Sequence, residues 1–186
     1  MRPLPEFLPI FERSGFIRNV DLELFGQVCS AYDRLLQAGK SPVPISFNVS
    51  RSCFEDPKFL VDYLNQLCIY QHVSRHLIEF ELLESIAMDE TERLFDVVRQ
   101  IKQAGFCCSL DDFGSGYSSF RVLMNIEIDT LKLDGAFFRN PLTDKERGVM
   151  RTILDLARHL HYVTVAEGME RAENVDFLRS LGCDII

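Results

Sequence analysis

The sequence predicts an α/β protein built on a parallel sheet. Short runs that are apolar nearly from end to end alternate strictly with longer segments whose apolar residues recur every third or fourth position. The first pattern suits strands covered on both faces, and the second suits helices packed outside them. Each predicted strand also finishes on a polar or charged residue. In a parallel sheet those residues share one rim, where the sites of such folds are built.

In chain order, Pro5 suits the first turn of a short helix that reaches about Arg13 and stops near Gly15. Asp21 is expected to cap a long helix on which Phe25, Val28, Cys29, Tyr32, Leu35 and Leu36 share one apolar face, with Gly39 ending it. Pro44 to Val49 reads as a strand. Asp56 to Leu67 reads as a helix with Phe59, Leu60, Tyr63, Leu64 and Leu67 inward, and Leu77 to Leu83 as the next strand. A helix over Glu90 to Ala104 closes at Gly105, and Phe106 to Leu110 forms a strand whose end meets Asp111 and Asp112. A short helix from about Ser118 to Asn125 leads to a strand over Thr130 to Asp134. Asp144 to His159 is helical, with Val149, Ile153, Leu156 and Leu160 on its apolar side. Val163 to Ala166 is a strand, Ala172 to Leu181 a helix, and Cys183 to Ile186 begins another strand.

Composition bounds the function. The chain has 186 residues, 47% of them hydrophobic, and a formal net charge of −8. That length buries one sizeable core, so a single domain over residues 1–186 is expected. The negative charge argues against a nucleic-acid polymer as partner, because phosphate backbones need a basic face. No apolar run approaches the roughly 20 residues of a membrane span. The start, Met1-Arg2-Pro3-Leu4-Pro5, lacks the pattern of a secretory leader. The six cysteines form no Cys-x-x-Cys pair and read as buried reduced thiols, which together with the missing leader predicts a cytoplasmic protein.

The strand ends carry the chemistry. Asn48 ends the first strand, Glu81 and Glu84 the second, Asp111 and Asp112 the third, Lys132 and Asp134 the fourth, and Glu167 the fifth, with Glu170 following. Any one of these suits a turn or a helix cap: Asp134 before Gly135 would serve a turn, and Glu170 a helix dipole. Five consecutive strands ending in this way exceed what capping explains. Their all-oxygen donors select a hard cation, Mg²⁺ or Mn²⁺. The adjacent Asp111 and Asp112 suit two ions, and Lys132 suits a water or a transferring phosphate. Gly114-Ser115-Gly116 lacks the third glycine of a dinucleotide fingerprint, and Asp112-Phe113-Gly114 stands without the other kinase signatures. The alternation fits a doubly wound open sheet and a (β/α)8 barrel alike, although a barrel takes about 250 residues.

Asp111-Asp112-Phe113-Gly114-Ser115-Gly116-Tyr117-Ser118-Ser119 resembles the signature loop of the bacterial EAL domain, the cyclic-di-GMP phosphodiesterase family. The resemblance extends through Ser46 to Ser50, Glu79 to Ser85, Leu131 to Asp134, Ala166 to Glu170 and Leu181 to Asp184. It implies a (β/α)8 TIM-type barrel that hydrolyses cyclic di-GMP to linear pGpG with Mg²⁺ or Mn²⁺. By motif, Asn48, Glu81, Asp111 and Glu167 would bind metal, and Asp112 would bind or bridge a second ion. Lys132 would hold the attacking water, and Glu84 would support the signature loop. The family also implies a homodimer and frequent fusion to a diguanylate cyclase (GGDEF) or sensor domain.

Two family segments fall outside the sequence, Glu-Ala-Leu before Met1 and Gln-Gly-Tyr/Phe after Ile186. The first and last strands of the barrel are therefore expected to lie outside residues 1–186, within a longer chain. Leu83 stands where the family has Thr in Glu-x-Thr-Glu. That departure keeps a second reading in view, a catalytically impaired EAL module that acts as a cyclic-di-GMP receptor or as a protein-interaction domain.

Overall fold

The computed structural model describes residues 4–49, 59–70, 73–84, 91–114 and 120–186. The elements are α1 (Leu4–Ser14), α2 (Ile17–Gln37), β1 (Ile45–Asn48), α3 (Phe59–Cys68), a 3-10 turn (Arg75–Leu77), β2 (Ile78–Leu83), α4 (Thr91–Gln103), β3 (Cys107–Phe113), α5 (Phe120–Asn125), β4 (Thr130–Leu133), a second 3-10 turn (Gly135–Phe138), α6 (Asp144–His159), β5 (Val163–Ala166) and α7 (Ala172–Ser180). The strands follow one another in the sheet in the order β1-β2-β3-β4-β5, and β3–β4 and β4–β5 pair in parallel. This is the predicted α/β architecture, and the described strands do not close into a barrel. The predicted starts at Asp56, Glu90 and Ser118 lie outside the described residues.

The chain forms two compact units. The first comprises residues 1–80 and 100–107. Its core is aromatic: Tyr63 meets Phe25 edge-on at 4.8 Å and Phe80 at 5.2 Å, and Phe80 meets Phe106 at 5.1 Å. Burying each such phenylalanine contributes about 1.5–3 kcal/mol. The helix α2 starts at Ile17, one turn earlier than the sequence suggests. Asp21 is therefore a residue of the helix interior and not its cap. Its Oδ2 atom is buried without a hydrogen-bond partner among the described residues. Burial, with the charge of Glu12 added, pushes its carboxyl up to about 6.

The second unit comprises residues 81–99 and 108–186. All four residues of β4 are buried, as expected of a strand covered on both faces. The helix α6 begins with a capping box, Thr143 accepting from the Glu146 amide while the Glu146 carboxylate accepts from the Thr143 amide. Its inward face is Met150, Ile153, Leu154 and Ala157, whereas Val149 is 49% exposed. The apolar stripe is thus rotated from the predicted one, because Met150 and Ala157 fill the seam that Val149 and Leu156 were expected to fill. After α7, Ile185 makes a single parallel bridge to Val165, and Asp184 accepts from the amide and the hydroxyl of Thr164 at 2.8 and 2.7 Å.

Candidate active site

The strand β3 runs on through the two aspartates to Phe113, beyond its predicted end. Leu110 pairs with Leu131 and Phe113 with Leu133, so β3 spends one more residue than β4 over the same stretch. This is a β-bulge, and it falls on Asp111 and Asp112. Asp112 takes a φ of +56°, a left-handed conformation that Asp tolerates better than most residues. The Asp112 amide donates to Asp111 Oδ1 at 2.9 Å, which fixes one carboxylate against the turned backbone of the next. Such strained positions concentrate at functional sites.

Lys132 is the centre of the cluster. It is 8% exposed, and its ammonium lies 2.7 Å from Glu81 Oε1, 2.7 Å from Glu167 Oε1 and 3.5 Å from Asp111 Oδ1. Glu81 comes from β2, Asp111 from β3, Lys132 from β4, and Glu167 follows β5, so neighbouring strands deliver the set to one place. Desolvation pulls the Lys132 ammonium down, but hydrogen bonds to Glu167 and Glu81 outweigh it and hold the group above its ordinary value, fully charged. Burial pushes the Asp111 carboxyl up, and the Asp112 amide and the Lys132 charge offset part of that. Burial, followed by the charges of Asp111, Asp134 and Glu167, also raises Asp112.

Three carboxylates face one ammonium, leaving a formal excess of two negative charges (three minus one). Among the described residues no three His, Cys, Asp or Glu side chains already stand at metal-ligating positions. The carboxylates converge instead on the Lys132 ammonium. Oxygen donors with an excess of negative charge are the chemistry that hard divalent cations take.

Glu84 is 1% exposed and accepts the Gly114 amide at 2.5 Å. Gly114 has a φ of +94°, and a methyl there would lie 2.0 Å from the Phe137 ring, so the ring caps this turn and only glycine fits. Asp134 accepts the Ala136 amide at 2.8 Å and so caps the 3-10 turn, the structural role the sequence allowed it. Gly135 packs its backbone on the next loop: a methyl there would approach the Glu167 carbonyl oxygen to 3.0 Å. Asn48 ends β1 in the first unit and is exposed. Glu170 is exposed and precedes α7, outside the helix whose dipole it was expected to favour. Leu83, at the end of β2, is 37% exposed. Residues 115–119 of the signature loop lie outside the described residues. Sequence reasoning did not single out Phe137 or Asn174, because apolar and amide side chains beside a site carry no motif of their own.

The fold and the site define a class: an α/β protein with a parallel sheet that gathers acidic side chains around one lysine at the carboxyl ends of its strands. The sequence profile of the EAL domain family matches residues 1–186, and the chain belongs to that family. MucR of Pseudomonas aeruginosa, a bifunctional diguanylate cyclase/cyclic di-GMP phosphodiesterase, is 30% identical over 180 residues, covering 96% of this chain and 26% of its own length. The probable cyclic di-GMP phosphodiesterase PdeG of Escherichia coli is 31% identical over 173 residues, covering 92% of this chain and 34% of its own. The chain thus spans about a quarter to a third of the length of these curated relatives. Among solved structures, the PaMucR phosphodiesterase in complex with c-di-GMP superposes with a TM-score of 0.87 at 28% identity, covering 97% of this chain and 73% of that one. The EAL enzyme Bd1971 in its cAMP- and cyclic-di-GMP-bound form gives 0.83 at 26% identity, covering 98% and 50%. No helix among the described residues is long and apolar enough to cross a membrane.

Proposed function

We propose that this chain belongs to a metal-dependent phosphodiesterase that opens cyclic di-GMP to linear pGpG. The observation that carries this reading is the convergence of Glu81, Asp111 and Glu167 on the Lys132 ammonium. The relatives named as cyclic di-GMP phosphodiesterases, and the c-di-GMP complex of a similar fold, support the substrate.

In this reading Glu81, Asp111 and Glu167, with Asn48, would hold Mg²⁺ or Mn²⁺, and Asp112 would bind a second ion. When bound, the ions neutralise phosphate charge and lower the pKa of water. Lys132, buried and charged, holds a water by its oxygen and leaves the lone pair directed at phosphorus. The water oxygen bonds to phosphorus and gives up a proton, the P–O3′ bond breaks with its electron pair going to the 3′ oxygen, and that oxygen takes up the proton the water released. Glu84 keeps the turn after the aspartates in place through the Gly114 amide. For the whole protein we propose a cytoplasmic homodimer. A fused diguanylate cyclase domain, as the name of MucR indicates for that relative, is the proposed accompaniment.

The test incubates the full-length protein with cyclic di-GMP and Mn²⁺ and separates the nucleotides by chromatography. Linear pGpG, lost on chelation, is expected. Binding without product would replace the enzyme reading with a receptor, the role that Leu83 in place of the family's Thr would favour.

A further inference from the structure

We propose that Asn174 is a positioning residue, which sets the ends of β3 and β5 through the turn that follows β4. Asn174 is 0% exposed on α7. Its single amide nitrogen donates to the Phe138 carbonyl at 3.0 Å and to the Asn140 carbonyl at 3.3 Å. Its Oδ1 atom is buried without a partner among the described residues. An unpaired buried oxygen is a cost that an apolar side chain of the same shape would avoid. The gain lies on the nitrogen side, where one group fixes two carbonyls and with them the backbone that closes the 3-10 turn.

That turn touches the site on two sides. Phe137 lays its ring against Gly114, directly after the bulge that carries Asp111 and Asp112. Gly135 packs on the carbonyl of Glu167 and on Gly168, which a methyl there would approach to 3.0 and 3.2 Å. Asn174, Phe138, Phe137 and Gly114 therefore form one chain of contacts, and Asn174, Phe138, Gly135 and Glu167 a second. The first ends on the backbone three residues after Asp111 and the second on the backbone of Glu167, the two residues whose carboxylates converge on Lys132. Freeing the turn lets the two ends shift independently, and displacements of about 1 Å at a reacting centre cost about a hundredfold in rate.

The activity arm of the test rests on the phosphodiesterase reading, and the exchange arm does not. Asn174→Leu keeps the volume and removes both donors. In the full-length protein its melting temperature is expected within a few degrees of the parent. Amide exchange is expected to rise at least about fivefold over 134–140 and also at Gly114 and Glu167, with Leu131 and Leu133 unchanged. If the parent hydrolyses cyclic di-GMP, kcat falls about tenfold or more with KM within about twofold, and Asn174→Gln restores part of the loss. Faster exchange confined to 134–140, or an unchanged kcat in the folded variant, overturns the proposal. Should Asn174→Leu fail to fold, Phe137→Ala cuts the first chain of contacts at a half-buried ring. It must then speed exchange at Gly114 and lower kcat, and the proposal fails if it does neither. A parent protein without hydrolytic activity sinks the phosphodiesterase reading, while the exchange pattern still decides for or against Asn174.

Discussion

The Glu84 carboxylate accepts the Gly114 amide at 2.5 Å, so a side chain that is 1% exposed fastens the turn leaving the two-aspartate strand. Replacing Glu84 with Ala removes the acceptor and leaves a part-buried amide unpaired. A hydrogen bond to a charged group is worth about 1.5–3 kcal/mol. Glu84→Ala should lower the unfolding free energy by about that amount and reduce turnover. A urea midpoint equal to that of the parent would show that the turn is held by something else.

Burial opposes the ionisation of Asp111, which accepts the Asp112 amide through Oδ1. Asn at this position keeps the acceptor and loses the charge. Asp111→Asn should leave the melting temperature unchanged or higher. Turnover should fall by about a hundredfold or more, since partners one step removed from a metal already cost 10- to about 100-fold. Full activity in this variant would remove Asp111 from the proposed donor set.

Leu83 is 37% exposed, and the anchor from Glu84 to Gly114 is intact beside it. Restoring the family residue with Leu83→Thr should therefore change stability by less than about 0.5 kcal/mol, as for other surface exchanges. The same change should move kcat by less than about threefold. A tenfold gain would mean that the missing hydroxyl, and not the anchor, limits the site.

The pH dependence of the first unit should report Asp21. Its carboxyl is raised to about 6 in the fold from 3.8, so the folded state binds the proton more tightly than the unfolded chain does. The penalty is complete above the folded value, fades as pH falls through 6, and is gone below about 4. Asp21→Asn should accordingly stabilise the protein at pH 8 and have a much smaller effect at pH 4. Equal gains at both pH values would show that the unpaired Oδ2 atom, and not its charge, is the source.

Much of this was legible in the residues. The alternation located the parallel sheet, and the polar strand ends named Glu81, Asp111, Lys132 and Glu167, which the fold brings together. Asp134 and Asp21 show where reading by residue type stops. Both were candidates for caps, and only the backbone decides that Asp134 caps a turn while Asp21 lies inside a helix. The bulge escaped notice for a related reason. Periodicity reveals which residues alternate along a strand, whereas register depends on the partner strand, which a single sequence does not display. Phe137 and Asn174 act through the backbone of the turn after β4, a contact that leaves no spacing rule behind.

The extra residue in β3 gives the site a dependence on counting as well as on chemistry. Between Leu110 and Phe113 two residues oppose the single Lys132 of β4. A deletion of either aspartate would therefore do more than subtract one carboxylate. It would let β3 fall into regular step with β4, with Phe113 still opposite Leu133 and the remaining aspartate alone opposite Lys132. Single-codon deletion and single-residue substitution at Asp112 are then different experiments: the first removes the bulge that turns Asp111 toward Lys132, and the second only changes what one position in that bulge says.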